Sequence, residues 1–236
     1  MKSAAELIFE IRKKEGLSQE EFAKKLGYTS KSTINKIEKG VNDISYEKLV
    51  KLIEDYCLTY KDFQTRNKIE TERLILRYLT DKDLESVFNN YANDDDVTKY
   101  LTWPTHKTIE DTQNVFKFWQ DESPELKKYH YFIELKETHE LIGSCAVAEF
   151  NNGIPEIGYV IGKKWWNKGI MTEACKKLID ILIEDGYSKI LIKAVKDNIG
   201  SIRVIEKCGF KFVKQDKVFC PLKSITQICN FYEICK

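Results

Sequence analysis

From Ala4 to Phe63 the apolar residues recur at helical spacing. The sets are Leu7, Ile8 and Ile11; Phe22, Ala23 and Leu26; Ile34 and Ile37; and Leu49, Leu52, Ile53 and Tyr56. Each follows the i, i+3, i+4 rule that gathers side chains on one helix face. Gly16, Gly27 and Gly40 fall between the sets, where a left-handed residue can end a helix. The pattern predicts four or five short helices in a small all-α bundle. The period then changes. Runs of β type stand at Leu74–Arg77, Tyr131–Leu135, Leu141–Glu149, Ile157–Ile161, Lys189–Val195, Phe212–Phe219 and Ile225–Ile234. Helical runs lie between them at Asp81–Tyr91, Ile109–Gln120, Thr172–Glu184 and Ile199–Cys208. Strands alternating with amphipathic helices predict a second domain of α/β or α+β class. The polar stretch Gln64-Thr65-Arg66-Asn67-Lys68 marks the join. The expected division is a first domain over 1–65, a linker at 66–70 and a second domain over 71–236.

Composition narrows the classes. The chain has 236 residues, 42% hydrophobic and 32% charged, the balance of one or two globular domains. A net charge of +1 excludes a chain that is basic throughout, so a nucleic-acid site must be a local patch. The N-terminal stretch has acids inside its apolar run and no small-residue cleavage site, unlike a signal peptide. No apolar run approaches the ~18 residues a membrane span needs. The seven cysteines are scattered without a C-x-x-C pair, as expected of reduced thiols in a cytoplasmic protein. The three histidines lie too far apart in sequence to suggest a zinc site, so no metal is expected.

Within the first segment, GLSQEEFAKKLGYTSKSTINKIEKG (Gly16–Gly40) carries two helix starts. Ser18 is an N-cap with Glu21 at the capping-box position, and Thr29 or Ser30 caps a second helix over Lys31–Lys39. Two short helices joined by a glycine-containing turn are a helix-turn-helix layout. Ile34 and Ile37 face inward, which leaves Lys31, Ser32, Asn35 and Lys36 on or near the outward face. Residues 12–40 hold eight basic and four acidic side chains, a local charge of +4. That is the electrostatic footprint of a phosphate-contacting face. The same pattern also fits a helical pair with a solvated lysine face used for protein contact. The run LSQEEFAKKLG…STINKIEKG resembles the Xre/lambda-repressor-type helix-turn-helix family over residues 5–63. That resemblance implies DNA binding, with Gln19 on phosphate and Lys31, Ser32, Asn35 and Lys36 in or beside the major groove. It also implies a homodimer reading two half-sites. An extra residue in the Tyr28–Ser30 turn departs from the family pattern.

The second segment holds PEIGYVIGKKWWNKGIMTEA (Pro155–Ala174). A strand, a glycine-bearing loop and a helix N-terminus form an anion-binding geometry, because the first-turn amides have no intrahelical partner. An ordinary β–α connection has the same parts. The loop is neither a Walker A sequence nor G-x-G-x-x-G, which disfavours nucleoside triphosphates and NAD. W-x-x-G-x-M-T-E-A, followed by N-x-x-S-x-x-V-x-E-K-x-G-F at Asn198–Phe210, resembles the GNAT N-acetyltransferases. The start Glu72-Arg73-Leu74-Ile75-Leu76-Arg77 and the run Trp103-Pro104-Thr105-His106 resemble the RimJ/RimL branch in particular. The likeness runs from about Thr71 to Lys236. It implies an α/β GNAT fold with a mixed central sheet, acetyl-CoA as co-substrate and a primary amine as acceptor. The loop Trp166, Asn167, Lys168, Gly169, Ile170, Met171 and Thr172 would hold the diphosphate, and Asn198 would hydrogen-bond the pantetheine arm or the splayed strand edge. Trp103 and His106 would lie on the acceptor side.

Acyl transfer to an amine requires a neutral nucleophile, a donor for the developing oxyanion and a leaving thiol. Glu156 stands where GNAT enzymes often carry the base, with Glu149 as a second carboxylate. A backbone N–H at Val160 or Ile161 would polarise the thioester oxygen. Ser201 is the RimL-like candidate for protonating the thiol, since the tyrosine many relatives use is replaced by Ile205. The expectation is an acetyl-CoA-dependent N-acetyltransferase, acting on a protein N-terminus or a small molecule, with a DNA-binding module. The alternatives are a transcription regulator whose second domain senses acyl-CoA without turnover, and an interaction protein that docks through its helices.

Overall fold

A computed structural model of the chain describes residues 4–39, 42, 44, 48, 51–52, 55–56, 68–120 and 123–235. It divides into two compact units at Asn67/Lys68. Gly40, Leu49, Ile53 and the polar stretch 64–67 fall outside the described residues.

The first unit is helical: α1 (Ala4–Lys14), α2 (Gln19–Lys25) and α3 (Lys31–Glu38). Ser18 caps α2 through a full capping box. Its hydroxyl accepts from the Glu21 N–H, and the Glu21 carboxylate accepts from the Ser18 N–H. Of the two expected caps for α3, Ser30 is the one used, its hydroxyl accepting from the Ser32 N–H. Ile8, Phe22, Leu26, Ile34, Ile37 and Leu52 are buried in one cluster. Each side chain of this size contributes ~1.5–3 kcal/mol on burial, so the periodic residues hold the helix pair together.

The second unit is one eight-stranded sheet in the order β1-β2-β3-β4-β5-β6-β8-β7. Its strands are β1 (Lys68–Glu70), β2 (Leu74–Arg77), β3 (His130–Leu135), β4 (Leu141–Asn151), β5 (Ile154–Ile161), β6 (Lys189–Val195), β7 (Lys211–Cys220) and β8 (Ile225–Cys235). Every neighbouring pair is antiparallel except β5–β6, which is parallel. Lys68–Glu70, expected as the end of the linker, instead pairs with β2, Ile69 opposite Leu76. Pairing along the sheet edge gives those three residues hydrogen bonds that a linker would leave to water.

Helices cover both faces. Between β2 and β3 run α4 (Leu84–Val87), α5 (Asp95–Thr98), α6 (Ile109–Gln120) and α7 (Pro124–Lys128). The expected single helix over Asp81–Tyr91 is a composite: a 3-10 turn at Asp81–Asp83, then α4, then a π turn at Phe88–Ala92. After β5 comes α8 (Ile170–Glu184), and after β6 comes α9 (Ile199–Lys207). On β3, Tyr131 and Ile133 join the cluster under α8 and α9, while Phe132 joins the cluster under α4–α6. Alternation along a strand therefore divides the core into two layers. On β5 the odd residues Ile157, Tyr159 and Ile161 belong to the first layer and Val160 to the second.

Candidate active site and nucleic-acid interface

The parallel pairing of β5 with β6 is short. Only Glu156–Leu191 and Ile157–Ile192 are in register, yet β5 runs on to Ile161 and β6 to Val195. The two strands part after the second pair, and a cavity of about 980 Å³ opens there. Gly162 N–H donates to the Ile142 carbonyl of β4 at 2.9 Å. The two-residue strand period then turns the main-chain groups of Val160 toward β4 and those of Tyr159 and Ile161 toward the gap. Of the two amides expected from the sequence, Ile161 keeps its N–H for a ligand, while Val160 is turned to the β4 ladder. The Ile161 carbonyl is taken by the Trp166 indole N–H at 2.9 Å.

The loop between β5 and α8 has an unusual backbone. Asn167 and Gly169 both lie in the left-handed region, at φ 59° and 74°. Gly169 is the N-cap of α8, and no side chain caps that end. The first-turn amides of Ile170, Met171 and Thr172 are thus without a side-chain acceptor, next to a cavity lined by Trp166, Asn167 and Gly169. This is the chemistry a diphosphate fits: unpaired N–H donors, a helix dipole and a residue without Cβ. Ile170 and Met171 have buried side chains, so only their main chain is available. Lys168 does not line the cavity, contrary to expectation. Its carbonyl is held by Arg73 at 2.9 Å, and Arg73 also binds Glu173 on the first turn of α8 at 2.7 Å. Thr71 donates to the same Glu173 at 2.6 Å. Thr71 and Arg73 therefore tie the loop and the first turn of α8 to the segment leading into β2.

Glu156 is 6% exposed at the base of the gap. Its carboxylate accepts from Lys193 Nζ at 2.5 Å and from Asn151 Nδ2 at 3.1 Å. Burial pushes its pKa above the usual carboxylate value, and Lys193 offsets only part of that. Glu149, opposite Glu156 in the β4–β5 register, binds the same lysine at 3.0 Å. On the other side of the gap, Asn198 caps α9, its side-chain oxygen accepting from the Ser201 N–H at 3.1 Å. The Ser201 hydroxyl lies 2.9 Å from the Tyr159 hydroxyl, which also donates to the Ser201 carbonyl at 3.1 Å. Burial holds the Tyr159 phenol far above its ordinary pKa, so it stays protonated. Ile205 is fully buried in the core.

Trp103 lines the cavity, whereas His106 does not. His106 is buried beneath Trp103, ring centres 5.0 Å apart, with Nδ1 at 2.8 Å from the Thr112 hydroxyl. Burial lowers its pKa, which leaves a neutral ring that props the tryptophan. Asp94 caps α5, its carboxylate accepting from the Asp96 N–H at 2.8 Å. Sequence reasoning missed Tyr159, Lys193, Trp119 and His130, all of which line the cavity. Lys193 had one legible signal, a polar residue within the alternating run Lys189–Val195. Nothing local marks the other three.

In the first unit, Lys31, Ser32 and Lys36 are exposed on α3 and Asn35 is half-buried beside them. Gln19 is tied inward: its amide donates to Glu38 at 2.7 Å, leaving one amide hydrogen for another acceptor. Arg12, 6% exposed, grips the same carboxylate through Nε at 2.5 Å and Nη2 at 2.9 Å. Burial disfavours the Glu38 charge, but Arg12 and Gln19 more than compensate and hold its pKa below the usual range. This cluster joins α1, α2 and α3 and so fixes the angle at which α3 is displayed.

Comparison with known proteins agrees with both halves. Residues 73–211 match the family model described as acetyltransferase (GNAT) domain, and residues 8–56 match a helix-turn-helix model. The chain belongs to the GNAT acetyltransferase family and carries a helix-turn-helix domain at its N-terminal side. An uncharacterized N-acetyltransferase, p20, of Bacillus licheniformis is 33% identical over 144 residues, 60% of this chain and 80% of that protein. The uncharacterized N-acetyltransferase YoaA of Bacillus subtilis is 33% identical over 147 residues, 61% of this chain and 82% of its own length. Among solved structures, a GNAT-family acetyltransferase from Bacillus anthracis superposes with a TM-score of 0.60 at 28% identity, covering 71% of this chain and 98% of that one. The microcin C7 self-immunity acetyltransferase MccE, solved with acetyl-CoA and AMP, shares the fold with a TM-score of 0.63 at 22% identity, over 73% of this chain and 98% of its own. Among the described residues no helix is long and apolar enough to cross a membrane.

Proposed function

We propose that this acetyltransferase moves the acetyl group of acetyl-CoA to a primary amine, of a protein N-terminus or a small molecule, in the gap between β5 and β6. The observation that carries the reading is the parting of those strands beside an uncapped α8 N-terminus, with the buried carboxylate of Glu156 within their short shared register. The α8 amides and Gly169 hold the diphosphate, and the free main-chain edge of Tyr159 and Ile161 pairs with the pantetheine amides as an added strand would. A main-chain N–H of this free β5 edge stabilises the charge that develops on the thioester oxygen. Glu156 accepts the proton of the attacking amine, directly or through a water. Its raised pKa makes it a stronger base than an exposed glutamate. Ser201 hydrogen-bonds the leaving thiolate and passes it a proton that its hydroxyl regains from water in the gap. The Tyr159 phenol, donating to the Ser201 carbonyl and lying beside Ser201 Oγ, positions that residue at the gap.

The helix-turn-helix unit places Lys31, Ser32, Asn35 and Lys36 against DNA, as one half of a homodimer on half-sites ~34 Å apart. The deciding experiment incubates the protein with acetyl-CoA and a panel of amines and follows free-thiol release. Amine-dependent release is expected, and Glu156→Gln is expected to cut kcat about 100-fold while acetyl-CoA affinity holds. Tight acetyl-CoA binding without release for any amine would instead make the domain an acyl-CoA sensor.

A further inference from the structure

The acceptor side of the gap has a composition of its own. β4 and β5 hold the fourth and fifth places in the eight-stranded sheet, where both faces are normally covered. Yet on the α4–α6 side Ala148 is exposed, and Ala146 and Gly158 are only half-buried. Ala146 and Gly158 are register partners, and a Cβ built on Gly158 would meet only the Ala148 Cβ, at an ordinary 3.6 Å. Gly158 has no left-handed backbone either. A glycine weakens a strand unless the backbone or a close approach requires it. Here neither the chain's conformation nor its packing does, so the room over this floor belongs to the cavity.

Large aromatic side chains wall the same space. Trp103, Trp119 and His130 are half-buried and line the cavity. Their rings are set by ring contacts, Trp103 on His106 at 5.0 Å and Trp119 edge-on to His130 at 5.3 Å and to Phe132 at 5.2 Å. Tyr91, 1% exposed, lines this end as well. Its hydroxyl, beside Ser144, is buried without a partner at hydrogen-bond geometry. The acid at this end, Asp96, is already paired with Lys163 at 2.5 Å, so a second ammonium group finds no unpaired carboxylate there. Gly158 stands two residues along β5 from Glu156, on the same face. That is a step of about 6.7 Å, so a ring over Gly158 with an amine on a short side chain brings the nitrogen to the Glu156 side.

We infer that the acceptor amine is carried on a flat ring lying over Ala146, Ala148 and Gly158 against Trp103, Trp119 and His130. The inference rests on the acetyl-transfer reading above. Two sources share this chemistry, a free arylalkylamine and a peptide whose first residue is aromatic.

The test compares 2-phenylethylamine, tyramine, n-hexylamine, a Tyr-Gly-Gly peptide and an Ala-Gly-Gly peptide as acceptors of the full-length protein. Thiol release gives kcat/KM, and calorimetry gives amine binding to the protein saturated with CoA. The ring-bearing member of each pair is expected to exceed its aliphatic counterpart about tenfold, a ratio consistent with one stacked ring. The free amines and the peptides distinguish the two sources. Trp119→Ala and Gly158→Val are expected to collapse that ratio toward one, with acetyl-CoA affinity retained. Equal use and equal binding of ring-bearing and aliphatic amines would overturn the inference, as would variants that leave the ratio intact. Should no amine be turned over, the acetyl-transfer reading falls, and the calorimetric ratio still decides the ring preference.

Discussion

At the scale of single residues, the site turns on Glu156 and the lysine that faces it. Burial raises the pKa of Glu156, and the ammonium of Lys193 at 2.5 Å opposes that rise. Removing the cation leaves desolvation and the neighbouring Glu149 unopposed, so the folded-state pKa of Glu156 climbs further. A base works only as the carboxylate. Lys193→Met is therefore expected to move the acidic limb of the kcat/KM–pH profile to higher pH, and activity at low pH falls most. An unmoved limb in a variant that still binds acetyl-CoA would show that Glu156 is not the titrating base. Glu156 and Ser201 were legible as cavity-lining residues because they sit at fixed offsets within recognisable motifs. Lys193 and Tyr159 were not, because their partners Glu156 and Ser201 lie 37 and 42 residues away. The resemblance of the run Trp103-Pro104-Thr105-His106 puts His106 on the acceptor side, but it does not line the cavity. Its packing under Trp103 gives it a supporting place.

At the scale of elements, the period of the apolar residues located nearly every strand and helix of the second unit. Leu74–Arg77, Lys189–Val195 and Ile109–Gln120 appear with the expected bounds. The π turn at Phe88–Ala92 was not legible, since one inserted residue per turn leaves the amphipathic pattern almost unchanged. The decisive element is the N-terminus of α8. Gly169 at φ 74° would be strained by any side chain, and an acid there adds a charge beside the open amides. Gly169→Asp is expected to weaken acetyl-CoA binding at least tenfold, measured by calorimetry. Gly169→Ala separates the cost of the backbone from that of the charge. Equal affinity in the acidic variant would remove the loop from the diphosphate site.

At the scale of the whole molecule, two compact units carry two separate chemistries on one chain. The near-neutral total charge conceals a basic helix pair, as the local count of charges indicated. Asn35, half-buried on the displayed side of α3, is the side chain suited to adenine. Asn35→Ala is expected to lower discrimination between specific and nonspecific DNA about tenfold, the cost of one bidentate base contact, and to leave acetyl-CoA affinity unaltered. Lys31→Ala or Lys36→Ala should instead weaken all DNA alike and flatten the salt dependence.

The sequence by itself determined the two-part organisation, the helix caps, most strand positions and the glycine loop. These depend on spacing and on conformational preferences that act over a few residues. Only the tertiary structure decided that β5 and β6 part after two residue pairs, that Lys193 meets Glu156, that Tyr159 meets Ser201, and that a glycine-floored aromatic slot lies beside them. Those features arise where strands distant in sequence share a register, and no local period encodes which side chains a sheet brings face to face.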